Sequence, residues 1–186
     1  MTRFRLLVLL LAVLAGPLGP SLQAQTRSAP QSVSVEPAPR ASTALQRAKR
    51  AHLWRVAAWG GANVLGGLAL AWGTSRAQRS ARWHFGAMSA GWGAVNVGIA
   101  TAGLLTMSSS PPSSPAAVLS AERQFHDILL FNLGLNVAYS AVGGTMLGAG
   151  YQDVTNAGRW RGFGTALLLQ GAGLLVLDGI AFFASR

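Results

Sequence analysis

Cysteine is absent from this chain, and acidic residues number only 5 in 186. Without a thiol, disulfides, thiolate metal sites and cysteine nucleophiles are all excluded. Charge of either sign is sparse. Only 11% of the residues are charged, against about 25% in an ordinary soluble domain. The sequence holds no HExxH helix, nucleophile elbow or phosphate-binding loop. No two aspartates stand at matching depth, and Ser140 has no histidine near its level. These absences argue against an enzyme, and no residue set calls for a cofactor or a metal.

What is abundant is apolar. Hydrophobic residues make up 51% of the chain and gather in long blocks, the signature of a membrane protein. The formal net charge of +10 raises nucleic acid as a partner. The basic residues, however, lie at the ends of apolar blocks. Arg76, Arg79 and Arg82 follow one block, and Arg159 and Arg161 precede another. That is where membrane flanks carry them, so the expected partner is the lipid bilayer and not nucleic acid.

Residues 1–24 read as a signal peptide: Arg3 and Arg5, an apolar run to Leu18, then the small residue Ala24 at the cleavage position. Residues 25–45 are largely Ser, Pro, Gln, Ala and Arg and read as a disordered basic linker. Helical patterning sets in from Ser42. The remainder, 46–186, reads as an all-α, four-helix transmembrane bundle. Its expected spans are about 53–72, 83–107, 128–147 and 162–183, each near the roughly 20 residues that cross hydrocarbon. Trp54, Trp72, Trp83 and Trp160 fall at span ends, as an interfacial belt requires. The last span is rich in Leu and Phe. The first two are rich in Gly and Ala, and should insert as a pair or lean on the later helices.

Orientation brings two signals into conflict. A signal peptide puts residue 25 outside a bacterial inner membrane, and Arg76, Arg79, Arg82, Arg159 and Arg161 then face the cytoplasm. The same choice leaves Arg40, Arg47, Lys49, Arg50 and Arg55 outside. The signal peptide decides, with both termini on the outer side. The basic stretch before the first span then lies against anionic lipid or stands solvated.

Each span carries one central carboxamide: Asn63, Asn96, Asn136 and Gln170. A polar side chain at membrane depth is a functional hypothesis by default. At similar depth the four can form one layer, either fixing helix register or lining a solute path. On the third helix Asn132, Asn136, Ser140, Gly144 and Gly148 recur every four residues, a small-and-polar stripe suited to close packing. Ala90, Ala94, Gly98 and Ala102 form a similar stripe on the second, and Asn63, Gly67 and Ala71 on the first. The segment Ala57-Ala-Trp59-Gly60-Gly-Ala-Asn63-Val64 matches Ala90-Gly-Trp92-Gly93-Ala-Val-Asn96-Val97. Such a repeat would relate two antiparallel helices by a two-fold axis in the membrane plane.

Asp178 is the sole carboxylate inside a span, and its expected partner is Asn132. His52, Glu122, His126 and Asp127 form a candidate cluster on the same outer face, with Glu122 and His126 four apart on one helical side. His84 belongs to the opposite face.

The run Asn132-Leu-Gly134-Leu135-Asn136-Val137-Ala-Tyr139, with Gly162-Phe-Gly164 and Gln170-Gly171 through Asp178, resembles a family of uncharacterised bacterial four-helix membrane proteins over roughly residues 50–184. The resemblance implies the four-helix architecture and singles out Asn132, Asn136, Tyr139, Gln170, Gly171 and Asp178. It implies no activity. It also implies Asp as a common residue where Asn136 stands here, so that a proton-carrying side chain is lost at that position.

Three functions compete on this basis. The leading one is a non-enzymatic packing or assembly subunit with a membrane-protein partner or a second copy of itself. The next is a small solute or proton transporter using the carboxamide layer and Asp178. The third, an enzyme acting on lipid, needs His126 and Asp178 at one cavity.

Overall fold

The computed structural model describes residues 38–74, 80–107 and 111–185, and the secondary structure among them is entirely helical. The signal peptide and most of the linker lie outside the described residues, as do Arg76 and Arg79. The four helices are α1 (Ala38–Trp72), α2 (Ala81–Thr106), α3 (Pro115–Ala149) and α4 (Ala157–Ala184). Three of them, α2, α3 and α4, are long and apolar enough to cross a membrane. The first is not, because Arg55, Asn63 and a run of glycines dilute its apolar half.

The helix boundaries have local causes. Ser80 caps α2 by accepting from the Trp83 N–H, and Ser114 caps α3 by accepting from the Ala117 N–H with Pro115 behind it. Before α4 the chain turns through Asn156 at φ 62°, a left-handed conformation that asparagine tolerates better than most residues.

Two helices run further than the hydrophobic blocks suggest. Helix α1 starts at Ala38, inside the segment expected to be disordered, and α3 starts at Pro115 rather than near 128. The two extensions stabilise each other. Leu45 packs with Phe125, Leu129, Ala181 and Phe182, and the Lys49 ammonium donates to the Ala121 carbonyl. This cluster sits where α1 and α3 begin and α2 and α4 finish, which we call the open end.

The helices form two antiparallel hairpins, α1 with α2 and α3 with α4, and α2 also packs on α4. Glycines set both hairpin contacts. A methyl group on Gly60 would stand 2.7 Å from the Gly93 carbonyl oxygen, and one on Gly67 would stand 2.5 Å from the Gly86 oxygen. In the second hairpin a methyl on Gly143 would stand 2.8 Å from the Gly164 oxygen. Helices this close touch backbone to backbone, which only glycine permits.

These contacts keep Gly67 of the first expected stripe and revise the other two. Gly98, Gly144 and Gly148 face open space, while Gly93 and Gly143 are the packed residues. The repeat, by contrast, acquires a geometric meaning. Its two glycines, Gly60 and Gly93, are the ones that touch. The hairpin therefore has a local two-fold axis through that contact, exchanging Trp59 with Trp92 and Asn63 with Asn96.

Candidate functional site: a buried His–Asp–Asn cluster above a carboxamide layer

The expected single layer is two layers in the structure. The inner one centres on Gln170, which is completely buried. Its Oε1 accepts from Trp59 Nε1 at 3.0 Å and from Asn96 Nδ2 at 3.4 Å, and its Nε2 donates to Asn63 Oδ1 at 2.5 Å. Asn63 in turn donates to the Trp59 carbonyl. Gly173 leaves the space that the Trp59 indole fills. The two asparagines of the repeat, Asn63 and Asn96, both bond to Gln170, one at each of its polar atoms. Three helices are tied by one side chain with both its polar atoms used.

Asn136 does not join this layer. Its Nδ2 donates to Asp178 Oδ2 at 2.6 Å. On the other side, His52 Nε2 lies 3.2 Å from Asp178 Oδ1. The three residues come from α3, α4 and α1, and exposures of 3% for Asn136, 3% for Asp178 and 6% for His52 place them in the interior. The expected partner of Asp178, Asn132, is half-buried one turn away. The reason lies in helix geometry. Long side chains lean toward their own N-terminus, so in an antiparallel pair the two leaning side chains converge. Asn136 and Asp178 lean toward each other, whereas Asn132 leans past Asp178 toward the open end.

Above and beside this cluster lies a cavity of about 660 Å³, within the roughly 300–1,000 Å³ of small-molecule sites. It runs as a groove between α2 and α3. Val95, Ile99, Ile128 and Leu135 wall it, and His52, Asn132, Asn136 and Asp178 supply its polar interior. Lys49 stands toward the open end, where burial pushes its ammonium pKa below the ordinary value. At the far end Trp92 and Tyr139 meet edge to face, ring centres 4.9 Å apart, and close the groove beside the carboxamide layer.

The candidate outer-face cluster is dispersed. Only His52 turns inward. His126 Nε2 lies 2.9 Å from Ser185 Oγ and 3.1 Å from the Ser185 carbonyl oxygen, securing the end of α4. Glu122 is half-buried and Asp127 is exposed. Among the described residues no group of three His, Cys, Asp or Glu is placed to hold a metal. His84 is buried near the start of α2, at the end of the bundle opposite the open end, against Trp83 and Phe163. Among the described residues His126 does not line the cavity that Asp178 lines. It is His52 that accompanies Asp178. Trp59 is a site residue that the sequence reading passed over; its place in the Trp-Gly-x-x-Asn repeat was the available signal.

Fold and site together define an all-helical bundle with a buried polar centre and three helices apolar enough to span a bilayer. Residues 55–179 match the model of a family of unknown function (DUF6992), and the chain belongs to that family. No curated protein and no solved structure matches the chain.

Proposed function

We propose that this is a non-enzymatic integral protein of the bacterial inner membrane that binds a small amphiphilic molecule in the groove between α2 and α3. In this reading α1 is the fourth span, inserted with α2 through their glycine contacts, and both termini lie on the outer side. The observation that carries it is the groove itself: apolar walls leading to the buried His52–Asp178–Asn136 cluster. A few convergent polar groups in a mostly apolar pocket are the usual make-up of a small-molecule site.

Two other readings have less support. An assembly role drew on small-residue seams, but Gly60, Gly67, Gly143 and Gly164 are used inside the chain. A transport path would need to continue past the Trp92–Tyr139 contact and the saturated Gln170 layer.

The test is native mass spectrometry of protein extracted from membranes in mild detergent. Wild type should retain an amphiphile, and Ile99→Trp, which fills the groove from its exposed wall, should lose it. The proposal fails if wild type carries none and takes up none from a membrane lipid extract.

A further inference from the structure

A second nitrogen of the polar cluster is unused. His52 Nε2 faces the Asp178 carboxylate, while His52 Nδ1 is buried and has no hydrogen-bond partner among the described residues. Buried polar atoms are rarely left so, and each instance calls for an explanation. The residue is 94% buried by its 6% exposure, and it lines the groove. The carboxylate fixes the ring. An acceptor against Nε2 keeps the proton there, and in the neutral imidazole the lone pair is then on Nδ1. Asn136 holds the carboxylate from its other oxygen, so the orientation of the ring is set before any ligand arrives.

Charge narrows what can meet that acceptor. Apart from His52, the charged residues lining the groove are Lys49 on α1 and Asp178 on α4, with none from α2 or α3. Lys49 is three residues before His52, on the same side of the helix, and opposes a second cation. The Asp178 carboxylate directly behind the ring opposes an anion. An ammonium head is therefore opposed by Lys49 and a carboxylate head by Asp178, whereas an uncharged proton donor is opposed by neither. The walls require the rest of the ligand to be apolar. From Trp92 to Met107 the α2 wall extends about 22 Å at 1.5 Å per residue, which is room for a long chain.

We propose that the groove recognises a hydroxyl-bearing lipid, an alcohol or phenol with a long apolar tail, whose O–H donates to His52 Nδ1. This rests on the reading that the groove binds an amphiphile. It can be tested with four probes of one chain length: dodecanol, dodecyl methyl ether, dodecylamine and dodecanoate. Each is titrated into the full-length protein in phosphatidylcholine nanodiscs at equal mole fraction in the bilayer. Dodecanol should bind about tenfold more tightly than the ether, the upper range for one neutral hydrogen bond, and more tightly than either charged probe. His52→Phe should erase the alcohol-over-ether preference and leave the ether unchanged. Nitrogen NMR of histidine-labelled wild type needs no variant: dodecanol should shift the His52 Nδ1 resonance and the ether should not.

Equal binding of alcohol and ether, an unmoved Nδ1 resonance, or a preference that survives His52→Phe would each overturn the hydroxyl assignment while leaving the groove as a binding site. Failure of all four probes to bind would overturn both.

Discussion

Gly143 and Gly144 are neighbours on α3 with opposite surroundings, and replacing each by alanine separates packing from every other effect. A methyl on Gly143 would stand 2.7 Å from the Leu168 backbone nitrogen, 2.8 Å from the Gly164 oxygen and 3.0 Å from Leu167 Cβ. A methyl on Gly144 meets nothing within 4 Å. Comfortable contacts between heavy atoms begin near about 3.5 Å, so α3 and α4 would have to part by about 0.7 Å or more. The obstructing atoms are mostly backbone and cannot rotate aside. Overpacking of this kind costs about 1–3 kcal/mol, and the rigidity of the obstruction argues for the upper half. Both substitutions share the gain in helix propensity, about 1 kcal/mol in water, so it cancels in the difference. Gly143→Ala should therefore be about 2–3 kcal/mol less stable than Gly144→Ala. Unfolding of the purified protein in mixed dodecylmaltoside and SDS micelles measures this directly. Equal stability of the two variants would show that the hairpin contact is not where the structure places it.

Three further outcomes follow from the same geometry. Gln170→Leu should lower stability by about 2 kcal/mol in that assay, since three side-chain bonds of about 0.6 kcal/mol are lost together; an unchanged transition would mean that the inner layer is not formed. A double-mutant cycle between Asn136→Ala and Asp178→Ala should give a coupling of about 1.5–3 kcal/mol, as for a hydrogen bond to a charged group, whereas Asn132→Ala paired with Asp178→Ala should couple near zero; the reverse pattern would restore Asn132 as the partner. The natural absence of cysteine makes single-cysteine labelling clean: Ser113→Cys, between α2 and α3, should react with an impermeant maleimide from outside intact inner-membrane cells, and Asp153→Cys, between α3 and α4, only after lysis. The opposite result would invert the proposed orientation.

The helices and their polar centres were legible because composition and depth are one-dimensional quantities. Counting residues from the span ends puts Asn63, Asn96 and Gln170 at one level, and the structure joins them. The same counting puts Asn136 with them, and it fails there because a side chain's level is not that of its Cα. Leaning toward the N-terminus carries Asn136 out of the layer and onto Asp178. The stripe on α3 failed for a related reason. A strict four-residue step drifts round a helix of 3.6 residues per turn, so the seam changes to a three-residue step after Ser140 and continues through Gly143. The extension of α1 was hidden because its support is distant in sequence: Leu45 packs with Phe125 and Leu129 of α3 and with Ala181 and Phe182 of α4.

The local two-fold between α1 and α2 has a final consequence. It gives one face of the first hairpin two equivalent halves, each with a tryptophan and an asparagine. The second hairpin has a reciprocal glycine contact of its own, Gly143 with Gly164, but no matching repeat of side chains. Helix α4 brings Gly173 and Gln170 to one indole, and the Trp59 N–H is satisfied. In the other half Asn96 also reaches Gln170, but Trp92 meets Tyr139 of α3, and its N–H has no partner among the described residues. A surface of matched halves has received an unmatched partner, and the groove is the mismatch. The pocket is thus the half of a duplicated surface that the described helices leave unfilled.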